Sequence, residues 1–152
     1  MIKLTHTLTH TLTVILKKFQ PGHKYLFSEI THNWFDARGE CELYGGWLVQ
    51  INDLAEYNCI MRHGVKEGLD DIYFTDGNDI ENTGVWTHAY DSSAMSFFPP
   101  RVRCSCIDSQ PGCSTGGDVF FLYIRQDRHF RGNYCDVSSE SYTAKFICEA
   151  EM

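Results

Sequence analysis

Seven cysteines in a chain of 152 residues constrain this protein more than any other feature of its sequence. None of them stand in a C-x-x-C pair, the spacing that holds zinc or runs thioredoxin-like exchange. Disulfides are therefore expected, and with them an oxidising, extracellular compartment. Because seven is odd, one thiol either stays free or links two chains into a dimer. The opening MIKLTHTLTHTLTVILKK interleaves Thr and His with Leu, where a secretion leader has an unbroken apolar run. On the secreted reading the leader is lost before residue 1; otherwise the compartment is wrong.

A length of 152 residues predicts one domain, residues 1–152, with a single buried core. Thirteen Lys and Arg against twenty Asp and Glu leave a net charge of −7, which argues against nucleic acid and anionic lipid as partners. No stretch is long and apolar enough for a membrane span, so no membrane partner is expected.

The LTHT repeat at residues 4–11 alternates as an edge strand does, and its β-branched Thr favours strand, although Leu4, Leu8, Leu12 and Leu16 also fit a loose helical stripe. His6 and His10 are read as exposed rather than as a metal clamp. Trp34, Ala37, Cys41 and Tyr44 recur at helical spacing, with Thr31 as the expected N-cap and Gly45-Gly46 as the stop. WLVQIN reads as a short strand. Asp53 then caps a second helix, LAEYNCIMRH, which Gly64 is expected to end. Beyond residue 70 the helical period vanishes, and GVWTH, VFFLYI and AKFICEA are apolar runs between turn residues, as in strands joined by long loops. The expected class is α+β: two helices and antiparallel sheets with a long disulfide-linked loop region.

The segment NWFDARGECELYGGWLVQINDLAEYNCI, together with the ending KFICE, resembles the C-type lectin-like domain family from Tyr25 to Glu149, with residues 1–24 as an N-terminal strand and lead-in. The shared order is Ala-Arg, a first cysteine, Gly-Gly, a Leu-x-x-Ile-Asn segment, a second helix, and a last cysteine just before Glu. The resemblance implies a Cys41–Cys148 bridge. It places one end of a second bridge at Cys135, whose usual partner position falls on Phe120, so Cys135 must turn to Cys104, Cys106 or Cys113, with two bridges among these four. Cys59 aligns with a buried aromatic and is the expected odd thiol, free or interchain.

The chain departs from the family at the sugar site. DSQPGCSTGGD keeps Gln110 and Pro111, but Gly112 stands where an Asp or Asn would bind calcium, and Phe130-Arg131-Gly132 replaces Trp-Asn-Asp. Three oxygen ligands are gone, and calcium wants six to eight. DGNDIENTG, residues 76–84, fails the EF-hand pattern. It is either a solvated acidic turn or, with Asp76, Glu81 and Asp118, an accessory calcium site. RQDRHFRGNY is rich in guanidinium donors, suited to sugar hydroxyls when no metal is there to chelate them; surface ion pairs with Asp127 and Asp136 explain it almost as well.

The resemblance therefore implies a secreted lectin that binds glycans near Gln110, Pro111, Asp118, His129, Arg131 and Asn133. Dependence on calcium is reduced or absent, and Gln110 leans toward galactose or N-acetylgalactosamine. The alternative is a protein-binding or matrix module of the same fold that has discarded sugar. With no nucleophile motif or paired catalytic carboxylates, no enzymatic activity is expected.

Overall fold

The computed structural model describes residues 11–14, 22–82, 84–98, 119–124, 133–137 and 142–151. Its elements are β1 (Thr11–Val14), β2 (His23–Ser28), α1 (Trp34–Tyr44), β3 (Trp47–Leu48), α2 (Leu54–Lys66), β4 (Asp71–Asn78), β5 (Thr87–His88), β6 (Val119–Ile124), β7 (Asn133–Val137) and β8 (Lys145–Glu151). The α+β class and the order of strand, two helices and strands are as expected. Among the described residues, no helix is long and apolar enough to cross a membrane.

The strands join in the order β1-β2-β8-β4-β6-β7, with β3 also on β8 and β5 also on β4. Antiparallel sheets were expected, but β4 and β8 pair in parallel through Tyr73–Lys145 and Phe74–Phe146. The reason lies in α2: it turns the chain around between β3, which is antiparallel to β8, and β4. The strand reaching β8 after the helix therefore runs the other way.

Period-two alternation sorts the core onto two faces. Tyr25 and Phe27 of β2, Tyr73 of β4, Leu122 and Ile124 of β6 and Ile147 of β8 pack with Tyr57, Ile60 and Met61 of α2. The intervening Leu26, Ile72, Phe74, Phe121, Phe146 and Cys148 pack with Trp34, Ala37 and Cys41 of α1. β8 is buried along almost its whole length, as a strand covered on both faces must be. The Cys41–Cys148 bridge forms, with 5.3 Å between Cα atoms, and ties α1 to β8.

Four boundaries differ from expectation. The α1 N-cap is Asn33, whose Oδ1 accepts from the Asp36 amide at 2.8 Å. Thr31 lies too early, because His32 is still exchanging backbone bonds with Ala144. Gly45, in the left-handed region at φ 97°, ends α1 as expected. Asp53 caps α2, but Gly64 lies inside that helix, pressed against Ile124, and the left-handed glycine that follows the helix is Gly68 at φ 77°. WLVQIN shrinks to β3, and GVWTH to β5. The repeat at residues 4–11 lies outside the described residues except for Thr11, which opens the edge strand β1.

Candidate functional site

The residues expected to bind sugar fall in two segments of the sequence, and both attach to β6. Gln110, Pro111, Gly112 and Asp118, with Cys104, Cys106 and Cys113, belong to the segment between Phe98 and Val119; His129, Arg131 and Gly132 belong to that between Ile124 and Asn133. All of these lie outside the described residues, and so do the bridges expected among the three cysteines and Cys135. The structure does describe how the segments are mounted.

The first is mounted on an aromatic clamp. Phe98, its last described residue before the excursion, lies 5.9 Å ring to ring from Phe120, the second residue after the return. Trp86 packs on the same ring at 4.2 Å. Phe120 is buried, so apolar packing brings the ends of the excursion together at the position where the family resemblance has a cysteine. The second segment closes the β6–β7 hairpin. Tyr123 pairs with Asn133, Phe121 with Cys135, and Val119 with Val137. Asn133 thus opens β7 at the hairpin end, while Val119, the residue after Asp118, sits four ladder steps away, roughly 13 Å.

Asp76 and Glu81 have different surroundings. Asp76 is buried on β4; its Oδ1 lies 2.7 Å from His88 Nδ1, and its Oδ2 accepts from the Tyr90 amide at 3.4 Å. Burial pushes its carboxyl up to about 6, against the opposing pull of the His88 hydrogen bond. Glu81 is exposed on a turn that Asp79 closes by accepting from the Gly84 amide at 2.7 Å. Among the described residues no three His, Cys, Asp or Glu side chains are grouped to hold a metal. With both Asp76 oxygens engaged by protein donors, the described residues do not fit a calcium ion. Asp118, the third member of that set, lies outside them.

His88 and Arg38 went unnoticed in the sequence. His88 is 4% exposed and borders a cleft of about 190 Å³ between α1 and β5, also lined by Trp34, Phe35, Arg38, Asn78 and Glu81. Arg38 lies over the Trp34 ring at 5.8 Å and pairs with Glu42 at 3.5 Å. The Ala-Arg pair served only as a mark of resemblance, and no spacing rule links Asp76 to a histidine twelve residues on. Cys59 is free and half-buried, packed against the core on the α2 side, consistent with the expectation that it is the odd thiol.

No family model matches the chain. A Perlucin-like protein of Mytilus galloprovincialis is 35% identical over 74 residues, covering 48% of this chain and 47% of that protein; the match spans about half the length of this relative. The mouse scavenger receptor C-type lectin carbohydrate-recognition domain superposes with a TM-score of 0.66 at 24% identity, over 93% of this chain and 94% of that one. The herring type II antifreeze protein does so with a TM-score of 0.64 at 18% identity, over 89% and 95%. The chain has the C-type lectin-like fold, and the resemblance read from its motifs holds at that level. The same fold in an antifreeze protein shows that fold alone does not decide function.

Proposed function

We propose that this chain, which has the fold of a C-type lectin carbohydrate-recognition domain, is a secreted carbohydrate-binding protein that needs little or no calcium. The observation that carries the reading is the mounting of residues 99–118: an excursion holding Gln110 and Pro111 leaves and returns on one aromatic clamp at Phe98 and Phe120. Such a clamp presents a long binding segment from a rigid sheet. The Cys41–Cys148 bridge supports an oxidising compartment. Loss of oxygen ligands at Gly112, Arg131 and Gly132, and the engagement of Asp76 by His88, support weak dependence on metal. Glycan would be held by Gln110, Asp118, His129, Arg131 and Asn133, with a lean toward galactose-type or N-acetylhexosamine ligands. Cys59, half-buried, is the residue through which a disulfide-linked dimer would form.

A glycan array probed with and without chelator tests this. Binding is expected to persist in chelator. Arg131→Ala is expected to lower affinity about tenfold or more, since a charge-assisted bond shielded from water contributes roughly 1.5–3 kcal/mol, while the melting temperature stays nearly unchanged. Abolition by chelator alone would overturn the metal-free mechanism. The second reading, a sugar-independent protein-binding or matrix module, draws on those same lost ligands and on the antifreeze protein that shares the fold. A blank array with well-folded protein would favour it.

A further inference from the structure

Two clefts meet along the outer side of α1. The first, of about 190 Å³, lies between Phe35 and His88; the second, of about 260 Å³, is bordered by Trp47 and Tyr90; Arg38 and Ala89 line both. Small-ligand sites occupy roughly 300–1,000 Å³, so the pair is of that order. Each end carries an exposed ring: Phe35 is 43% exposed at one, and Tyr90, stacked on Trp47 at 4.1 Å, is 54% exposed at the other.

The wall between them is polar and held in place. His88 is almost fully buried, with its Nδ1 engaged by the buried Asp76 carboxylate at 2.7 Å. That contact fixes the ring and, with Nδ1–H donating to Asp76, leaves Nε2 as an acceptor. The ring borders the cleft. Nearby, Ser92 is held in the left-handed region at φ 62°, a conformation that costs energy for a residue with a side chain. Its amide donates to the His88 carbonyl at 2.8 Å, which fixes the lip of the cleft.

We propose that this groove is a second binding site, for a short neutral oligosaccharide, separate from the segments around Gln110 and Arg131. Its chemistry selects that class. The charged lining consists of Arg38, Glu42 and Glu81, with Arg38 already paired to Glu42, so an anionic ligand meets net repulsion. At β5 an extended peptide finds no free edge, because Thr87 is bridged to Asn78 on one side and to Ala94 on the other. A saccharide uses what remains: hydroxyls bond to the His88 imidazole and Glu81 and accept from Arg38, while the apolar faces of its rings cover Phe35 and Tyr90.

The inference extends the carbohydrate reading but uses different residues, so the two can fail separately. Phe35→Ala, Tyr90→Ala and Arg131→Ala variants of the full chain are compared on one array of neutral glycans, with chitotriose and lactose titrated in parallel by NMR. Both ring variants are expected to lose at least fivefold in affinity for a subset of glycans that Arg131→Ala still binds, with saturable shifts at His88 Nε2. If Arg131→Ala removes all binding and the ring variants none, the groove proposal fails and the carbohydrate reading stands. If the ring variants alone remove binding, the groove stands and the Arg131 site fails. An array blank for the wild-type chain overturns both.

Discussion

The two faces of the sheet are both apolar, yet they are closed by different means. On the α1 face, Cys41 is bonded to Cys148, and the Trp34 indole donates to the Thr75 carbonyl at 2.9 Å, so α1 is joined to two central strands by directional links. On the α2 face the described residues show no covalent link. Instead a buried acid, Glu56, accepts from the Asn52 amide at 2.9 Å and the Tyr25 hydroxyl at 3.2 Å. Glu149 is also buried; it follows Cys148 and so points to the opposite face, with its carboxylate 2.6 Å from His23. The α1 face is closed by a covalent staple, while the α2 face is closed around two buried acids, Glu56 and Glu149, whose charge it must accommodate. The difference predicts which perturbations each face feels.

Removing the staple has the largest expected effect. The bridge spans 107 residues, and by chain entropy such a closure contributes about 4–5 kcal/mol, a large part of the roughly 5–15 kcal/mol that domains have in total. Cys41→Ala with Cys148→Ala is expected to lower the melting temperature by roughly 10–20 °C, read by calorimetry. Cys59→Ser, on the other face, is expected to cost about 1 kcal/mol or less. Equal losses from the two would erase the proposed asymmetry.

A pH titration addresses the α2 face. Burial, outweighing the Asn52 and Tyr25 hydrogen bonds, raises Glu56 from 4.5 to about 7. The folded chain thus holds a proton that the unfolded chain has released between those values. Its contribution is fully present below about pH 4.5 and is lost as pH rises through 7. That amounts to about 3 kcal/mol at most. Asp76, whose partner His88 borders the cleft on the α1 side, is raised to about 6 and adds to the same trend at the lower end of the window. His63, lowered by burial, opposes it, since its neutral folded form loses stability as pH falls through 6.5. Urea midpoints are expected to fall between pH 5 and 8 in the wild type, and Glu56→Gln to remove most of the slope. An unchanged slope in that variant would remove Glu56 from the account.

Much of this architecture was legible because local signals agreed with tertiary ones. The spacing of Trp34, Ala37, Cys41 and Tyr44 marks a helix, and the first three of these are its buried residues. Asp53 reads as a cap because its side chain has one local task, accepting from the Glu56 amide. VFFLYI is β6 to the residue. What was not legible depended on distant partners. Thr31 looks as good a cap as Asn33 until Ala144 pairs with His32, and Gly64 looks like a helix stop until Ile124 explains why no side chain fits there. The parallel β4–β8 pairing and the Asp76–His88 contact have no signature in sequence spacing. In the segments proposed to bind sugar, the family resemblance marks which calcium ligands are missing, whereas the clamp of Phe98 on Phe120 emerged only from the fold.

The smallest expected effect compares one glycine on each side. A Cβ at Gly46, between α1 and β3, would run into the Glu149 carbonyl oxygen and come within 2.8 Å of the Ala150 Cβ. Both obstacles belong to the backbone region of the central strand β8, which cannot rotate away, so Gly46→Ala must push β3 off its pairing, at about 1–3 kcal/mol. A Cβ at Gly64, in α2, would lie 2.8 Å from two side-chain carbons of Ile124. Ile124 is fully buried, so it yields only by a small repacking. Replacing a helix-interior glycine with alanine meanwhile returns about 1 kcal/mol of helix propensity. The two terms nearly cancel, and Gly64→Ala is expected to shift denaturant midpoints only slightly in either direction. If Gly64→Ala proves the more costly, the α2 face is the more rigidly packed of the two, and its lack of a covalent link reflects a tighter core rather than a looser one.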